Sequence, residues 1–233
     1  MSTRRGGAQR IPRPELWRPG RPAPWAHLPV AERTVDLDHL EERLVARGPG
    51  RMRADNWRPG AQTRRSAVLV PLYDDGGELY VVLTRRSSNL RSHTSEVSFP
   101  GGRSDEGESP LATALREAEE EIGLAPPLVR PIGELDRFVT VGSASLVHPM
   151  VGALPGRPEL APAPDEVEHI LHVPLSELLA EGVFREELWP IGERERPITF
   201  FELHGDTVWG ATAAMLRQLL SLAVSITDDG LTY

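Results

Sequence analysis

Three glutamates carry the first sign of chemistry in this chain. Glu117, Glu120 and Glu121 lie in the run Pro110 to Leu124. If that run is a helix, positions three and four apart share a face, so the carboxylates crowd together. Each like-charge pair at such spacing costs on the order of 0.2–0.5 kcal/mol. No basic residue stands four positions after any of them. Their place near the helix C-terminus also opposes the macrodipole. Such a face is either left to solvent or neutralised by a cation. Carboxylate oxygens suit hard divalent ions. The chain has no cysteine, and no histidine stands at metal spacing here, so Mg2+ or Mn2+ fits better than Zn2+.

The elements that must position these groups are legible around them. Ser109 is a good N-cap, Pro110 suits the first helical position, and Gly123 suits the left-handed position that ends a helix. Leu111, Leu115, Ala118 and Ile122 form one stripe, expected to pack on a sheet. The loop before the helix, Phe99 to Glu108, holds Gly101 and Gly102, where backbone can approach a ligand closely. Upstream, Ala67 to Tyr73 reads as a strand. Asp74-Asp75-Gly76-Gly77 reads as a hairpin turn, and Leu79 to Thr84 as the returning strand. Downstream, strands are expected near Leu128 to Phe138, Leu146 to Leu154 and Val167 to Val173. A short helix is expected over Leu175 to Leu179. Two further strands, Ile198 to Leu203 and Asp206 to Trp209, flank a turn at His204-Gly205. Ala211 to Ser225 reads as a long apolar helix. Before all of these, residues 1 to about 30 are rich in Pro, Arg and Gly and read as disordered or loosely draped. Asp36 to Arg47 reads as a short amphipathic helix. This order of strands and helices is that of an α/β (α+β) fold.

The spacing is distinctive. Gly102 is followed after five residues by Glu108, then after seven by Arg116-Glu117-Ala118. After one more residue come Glu120-Glu121, and after another Gly123-Leu124. Every position resembles the Nudix box. The resemblance implies an α/β/α sandwich with a mixed sheet, the box forming a loop–helix–loop. It implies hydrolysis of a nucleoside diphosphate linked to another group. It further implies that Glu117, Glu120 and Glu121 hold Mg2+ or Mn2+, joined by the Gly102 carbonyl, and that Arg116 orients the glutamates with Glu108 as its partner. The segment Val82 to Gly102 is similar to the signature of the coenzyme A pyrophosphatases of that superfamily. Thr84, Arg86, Ser87, Arg91, Phe99, Pro100, Gly101 and Gly102 match, and Val82 stands in place of a leucine. The resemblance implies that Arg86, Arg91, Gly101 and Gly102 bind substrate, since guanidinium forks match phosphate oxygens. Ser95 departs from it, standing where the pattern has glycine. If that position needs a positive φ, serine costs about 1–2 kcal/mol there. If it needs close backbone approach, the side chain intrudes. Asp165 and Glu166 read as surface charges that also lie on a loop able to supply a base. His93 reads as structural, and Ser143 carries little weight.

Composition narrows the alternatives. All 26 basic residues are arginine, so Schiff-base chemistry, a P-loop and a lysine base are excluded. The absence of cysteine excludes disulfides, zinc–thiolate sites and cysteine nucleophiles. A net charge of −8 speaks against nucleic acid as a partner. No apolar run reaches the ~18 residues of a membrane-spanning helix, and no signal-peptide core follows the basic N-terminus. By the resemblance, the expectation is a cytoplasmic enzyme that hydrolyses the diphosphate of CoA or its derivatives, with no membrane partner and a homodimer left open; the alternatives are hydrolysis of another nucleoside diphosphate derivative such as ADP-ribose or NADH, and a non-catalytic Nudix-like binding module. The expected organisation is an N-terminal extension over 1–60, partly disordered with a short helix. A Nudix hydrolase domain follows over 64–203, and a C-terminal helix over 204–233 packs on it.

Overall fold

In a computed structural model of the chain, describing residues 5–7, 9–52, 63–87, 95–140 and 144–228, the apolar run from Ala67 becomes the hub of a mixed sheet. The chain order begins with β1 (Arg18–Pro19), α1 (Leu37–Arg47), β2 (Arg64–Asp75) and β3 (Glu78–Arg86). It continues with β4 (Val97–Ser98), β5 (Gly101–Arg103), α2 (Pro110–Ile122), β6 (Arg130–Glu134) and β7 (Phe138–Val139). Then come β8 (Ser145–Ala153), β9 (Val167–Pro174), α3 (Leu175–Leu179) and β10 (Phe184–Ile191). The last elements are β11 (Arg194–Glu202), β12 (Thr207–Trp209) and α4 (Gly210–Ala223). The large sheet runs β4-β3-β2-β8-β6, with β5 on β2, β7 on β8 and β9 on β3. β2 and β8 are parallel and every other pair is antiparallel. A second, antiparallel sheet runs β1-β10-β11-β12.

Period-two alternation along β2 sorts the core into two layers. Ala67, Leu69 and Tyr73 meet Ala114, Ala118 and Ile122 of α2 on one face. Val70 and Leu72 face the other way, toward Leu40 and Leu44 of α1, Leu175 and Leu178 of α3, Leu216 and Leu219 of α4, and Phe201 of the second sheet. Helices thus cover both faces of a mixed sheet, the α/β/α sandwich expected from the box.

Several elements differ from the sequence-based expectation. The stretch from Leu128 to Phe138 is not one strand. A 3-10 turn (Pro126–Leu128) precedes it, and β6 and β7 are separate. β10 is an element the sequence reading does not include: its centre, Arg185-Glu186-Glu187, has no apolar alternation. Both glutamates are nearly buried, each satisfied by an arginine. The N-terminal segment is not loosely draped in its described part. β1 pairs with β10, and Trp25 is 1% exposed, edge-on to Phe184 and stacked on Phe201. Composition masked this, because one indole outweighs a polar flank in buried apolar area. Trp25→Ala is therefore expected to destabilise the protein by about 3–5 kcal/mol in chemical denaturation. A loss under 1 kcal/mol would return this segment to the status of a tail.

Candidate active site

α2 has the bounds that its caps dictate. Ser109 Oγ accepts from the Ala112 N–H at 3.2 Å, and Gly123 sits at φ 69° with its N–H donating to the Glu119 carbonyl. The buried residues are Thr113, Ala114, Ala118, Glu121 and Ile122, while Leu111 and Leu115 flank them half-buried. The apolar stripe is thus rotated from the expected one, and the rotation carries Glu121 inward. The small Ala114 and Ala118 let the helix lie close on Ala67.

Two glycines make the surface that the carboxylates face. A Cβ on Gly101 would stand 2.4 Å from the Ala67 carbonyl oxygen and 2.6 Å from Val68 Cα. A Cβ on Gly102 would stand 2.4 Å from Glu117 Oε2 and 2.6 Å from its Oε1. The first glycine lets β5 approach β2; the second leaves a cradle of bare backbone filled by the Glu117 carboxylate. The Gly101 N–H donates to Glu121 Oε2 at 3.3 Å, and Arg86 Nη1 lies 3.6 Å from Glu121 Oε1.

These two carboxylates are short of positive charge. Burial pushes the Glu121 carboxyl up to about 7, against the pull of Arg86 and the Gly101 N–H, and the charges of Glu117 and Glu166 add to the rise. Burial also raises Glu117, against Arg116 and with Glu120 and Glu166 adding. Glu120 differs. Its side chain is 59% exposed and turns to Arg116. The site residues are therefore only partly brought together. Glu117 and Glu121 converge on Gly101-Gly102, and Glu120 stands outside. Among the described residues no three acidic or histidine side chains form a ready-made cation cage. The donor set nevertheless fits a hard cation: two inward carboxylates with unbalanced charge beside an open glycine backbone.

Arg116 holds the cluster. Its guanidinium makes a fork to Glu108 at 3.0 and 3.1 Å and donates to Glu117 at 2.9 Å, to Glu120 at 3.0 Å and to the Arg103 carbonyl at 3.0 Å. The relief that seemed missing from the glutamate face comes from the residue four positions before Glu120. Glu108 also accepts from the Asp105 N–H at 3.0 Å and from Thr113 Oγ1 at 2.8 Å.

Arg91, His93 and Ser143 lie outside the described residues. Ser95 has φ 61°, so its position does need the left-handed backbone. Its N–H donates to the Arg86 carbonyl, and the Arg86 N–H donates to the Glu96 carbonyl, closing the base of a hairpin. Glu166 is more than a distant surface charge. Its field reaches Glu117 and Glu121, and its carbonyl accepts from the Ser87 N–H. The signal lay in topology: Val167 pairs with Arg86, which places the residue before β9 at the mouth of the site.

Glu108 yields a pH test. The Arg116 fork, with the Asp105 N–H and Thr113 adding, pulls its carboxyl from 4.5 to about 2. A depressed pKa adds stability that is complete above the unfolded value and lost as pH falls through the folded one. Glu108→Gln should therefore melt below the wild type at pH 7. The gap should narrow as pH falls from about 4.5 toward 2. A gap that stays constant from pH 7 to 3 would sink the assignment.

Comparison with known proteins agrees with this geometry. The NUDIX domain model matches residues 63–193. A protein named "Uncharacterized Nudix hydrolase NudL" from Photorhabdus laumondii is 39% identical over 158 residues, covering 67% of this chain and 83% of that protein. "Nudix hydrolase 22, chloroplastic" from Arabidopsis thaliana is 38% identical over 161 residues, 66% of this chain and 53% of that protein. Mouse "Peroxisomal coenzyme A diphosphatase NUDT7" is 40% identical over 126 residues, 54% of this chain and 53% of that protein. The chain thus spans about half the length of the plant and mouse relatives. With a loop–helix–loop of this geometry, a matching domain over residues 63–193 and such relatives, the chain belongs to the Nudix hydrolases.

Proposed function

We propose that this Nudix hydrolase cleaves the diphosphate of coenzyme A or its derivatives, releasing 3′,5′-ADP and a 4′-phosphopantetheine product, in the cytoplasm. The observation that carries the proposal is Ser95. Beside the conservative Val82 it is the departure of the segment Val82 to Gly102 from the CoA signature, and its φ of 61° keeps the backbone a glycine would give. The mouse relative named as a CoA diphosphatase supports the same reading.

Glu117 and Glu121, with the Gly102 carbonyl, are the groups that would hold Mg2+ or Mn2+, and Glu120 would join from the solvent side. A bound divalent ion neutralises diphosphate charge and makes a water molecule more acidic. The remaining work falls to the chain itself. Arg116 fixes Glu117 and Glu120. Arg86 stands beside Glu121 with a fork suited to phosphate oxygens. Arg91 belongs to the same matched segment. Glu166, exposed and outside the helix, with its charge felt at Glu117 and Glu121, would take the proton to solvent.

The test is product identification by mass, with Mg2+ and, separately, CoA, acyl-CoA, ADP-ribose and NADH. Formation of 3′,5′-ADP from CoA species, faster than any cleavage of the others, is expected. Preferred cleavage of ADP-ribose or NADH would move the specificity and keep the family chemistry. Glu121→Gln should lower kcat by at least the roughly 10–100-fold that loss of a supporting contact costs a metal site, with the fold retained. Ser95→Gly should stabilise the protein by about 0.5–1 kcal/mol, the left-handed strain relieved less the entropy glycine loses on folding, and it should leave CoA cleavage intact. A destabilised Ser95→Gly would mean that the serine side chain has a role of its own.

A further inference from the structure

The reverse face of the hairpin that carries Arg86 holds a charge arrangement that the proposed mechanism does not use. β3 and β4 pair with Thr84 opposite Ser98 and Arg85 opposite Val97. Neighbours on a strand send side chains to opposite faces. Arg86 points toward Glu121, under α2. Arg85 points the other way, its Nη1 3.2 Å from both carboxylate oxygens of Asp206. Glu168 also stands 3.5 Å from Arg85 Nε, but its side chain is half exposed, whereas Asp206 is 4% exposed.

Asp206 lies in the turn between β11 and β12. Its Oδ1 accepts from Gln9 Nε2 at 2.8 Å, the Gln9 amide oxygen accepts from the Thr207 N–H at 3.1 Å, and the Gly7 N–H donates to Thr207 Oγ1 at 3.0 Å. β12 also packs against β4. One limb of the hairpin therefore rests on the β11–β12 turn and the other on β12, and the N-terminal segment braces that turn from behind. A carboxylate nearly removed from water must keep its donors in place, since an unpaired buried charge is costly. Any shift of Arg85 is passed through one peptide unit to Arg86, and through the Arg86 carbonyl to Ser95.

We infer that Asp206 is a positioning residue for substrate binding, with Gln9 as its support. By holding Arg85 it sets the aim of Arg86 and the seat of the hairpin, while making no contact of its own with Glu117 or Glu121. The inference rests on the reading of Val82 to Gly102 as the substrate-binding segment. It assigns to the second sheet and the N-terminal segment a part in substrate affinity.

The experiment compares Asp206→Asn, Arg85→Gln, the double variant and Gln9→Ala in full-length protein with Mg2+ and CoA. Asp206→Asn should raise KM about tenfold while kcat stays within about twofold, in keeping with loss of a hydrogen bond to a charged group. Arg85→Gln should do the same, and the double variant should be no worse than either single one. Gln9→Ala should raise KM about twofold to threefold. An unchanged KM, a fall confined to kcat, or additive losses in the double variant would each overturn the inference. If Asp206→Asn fails to give a cooperative melt, Gln9→Ala decides alone, and an unchanged KM there rejects the inference. Wild-type turnover is measured first, so failure of the CoA reading shows separately. The variants are then compared on whichever of ADP-ribose or NADH the wild type cleaves. If it cleaves none, they are compared by calorimetric Kd for CoA.

Discussion

The constraint on which this structure depends is a carboxylate almost removed from water at the wrong end of a helix. Glu121 is 3% exposed, sits one residue from the C-terminus of α2, and faces the partial negative charge of the helix end as well as Glu117. Its helix propensity is good, but the dipole and the burial both act against its charge there. It is held because α2 is fastened independently of it. Ser109 and Gly123 fix the two ends, Ala114 and Ala118 allow close packing, and Ile122 anchors the last turn. The glycine pair then removes every side chain from the opposing backbone. Electrostatic discomfort is thereby concentrated at one spot, where burial holds both the Glu117 and the Glu121 carboxyl above the usual range.

Arginine does the ionic work throughout, and the geometry shows why lysine would not replace it. Arg116 addresses Glu108, Glu117, Glu120 and the Arg103 carbonyl at once. Only a planar group with five donors can do this. Arg217 is buried between Glu186 and Asp228 in the same manner, tying α4 to β10 and to the chain beyond α4. Arg13 and Arg185 both serve Glu187, which also accepts from the Trp189 indole. These networks place acidic residues in positions that a pattern of apolar residues would never suggest.

That is where the sequence stopped being readable. The capped helix, the β2–β3 turn and the clustering of Glu117 with Glu121 follow from local rules: caps, turn glycines and spacing. The pairing of Arg116 with Glu108 comes only through the resemblance to the Nudix box. The inward turn of Glu121 does not, since it depends on two alanines packing more closely than two leucines. β10 was hidden because its buried side chains include two glutamates neutralised by residues far along the chain. Trp25 was hidden by the prolines and arginines around it. Glu166 was visible as a residue but not as a neighbour of the site. Its place is decided by which strand β9 joins, and only the assembled sheet decides that.

The parallel pairing of β2 with β8 has a consequence for how the protein is made. Parallel neighbours cannot be joined by a tight turn, so the chain between them must cross over one face of the sheet. Here that connection contains β3, the glycine loop and the whole of α2, and Arg64 meets Ser145 across 81 residues of sequence. Contacts so distant along the chain form late and slowly. Pairing of β2 with β8 therefore closes a loop that contains the acidic helix. Docking of the candidate site's helix and closure of the core thus draw on one long segment of chain, so a change in that segment bears on both.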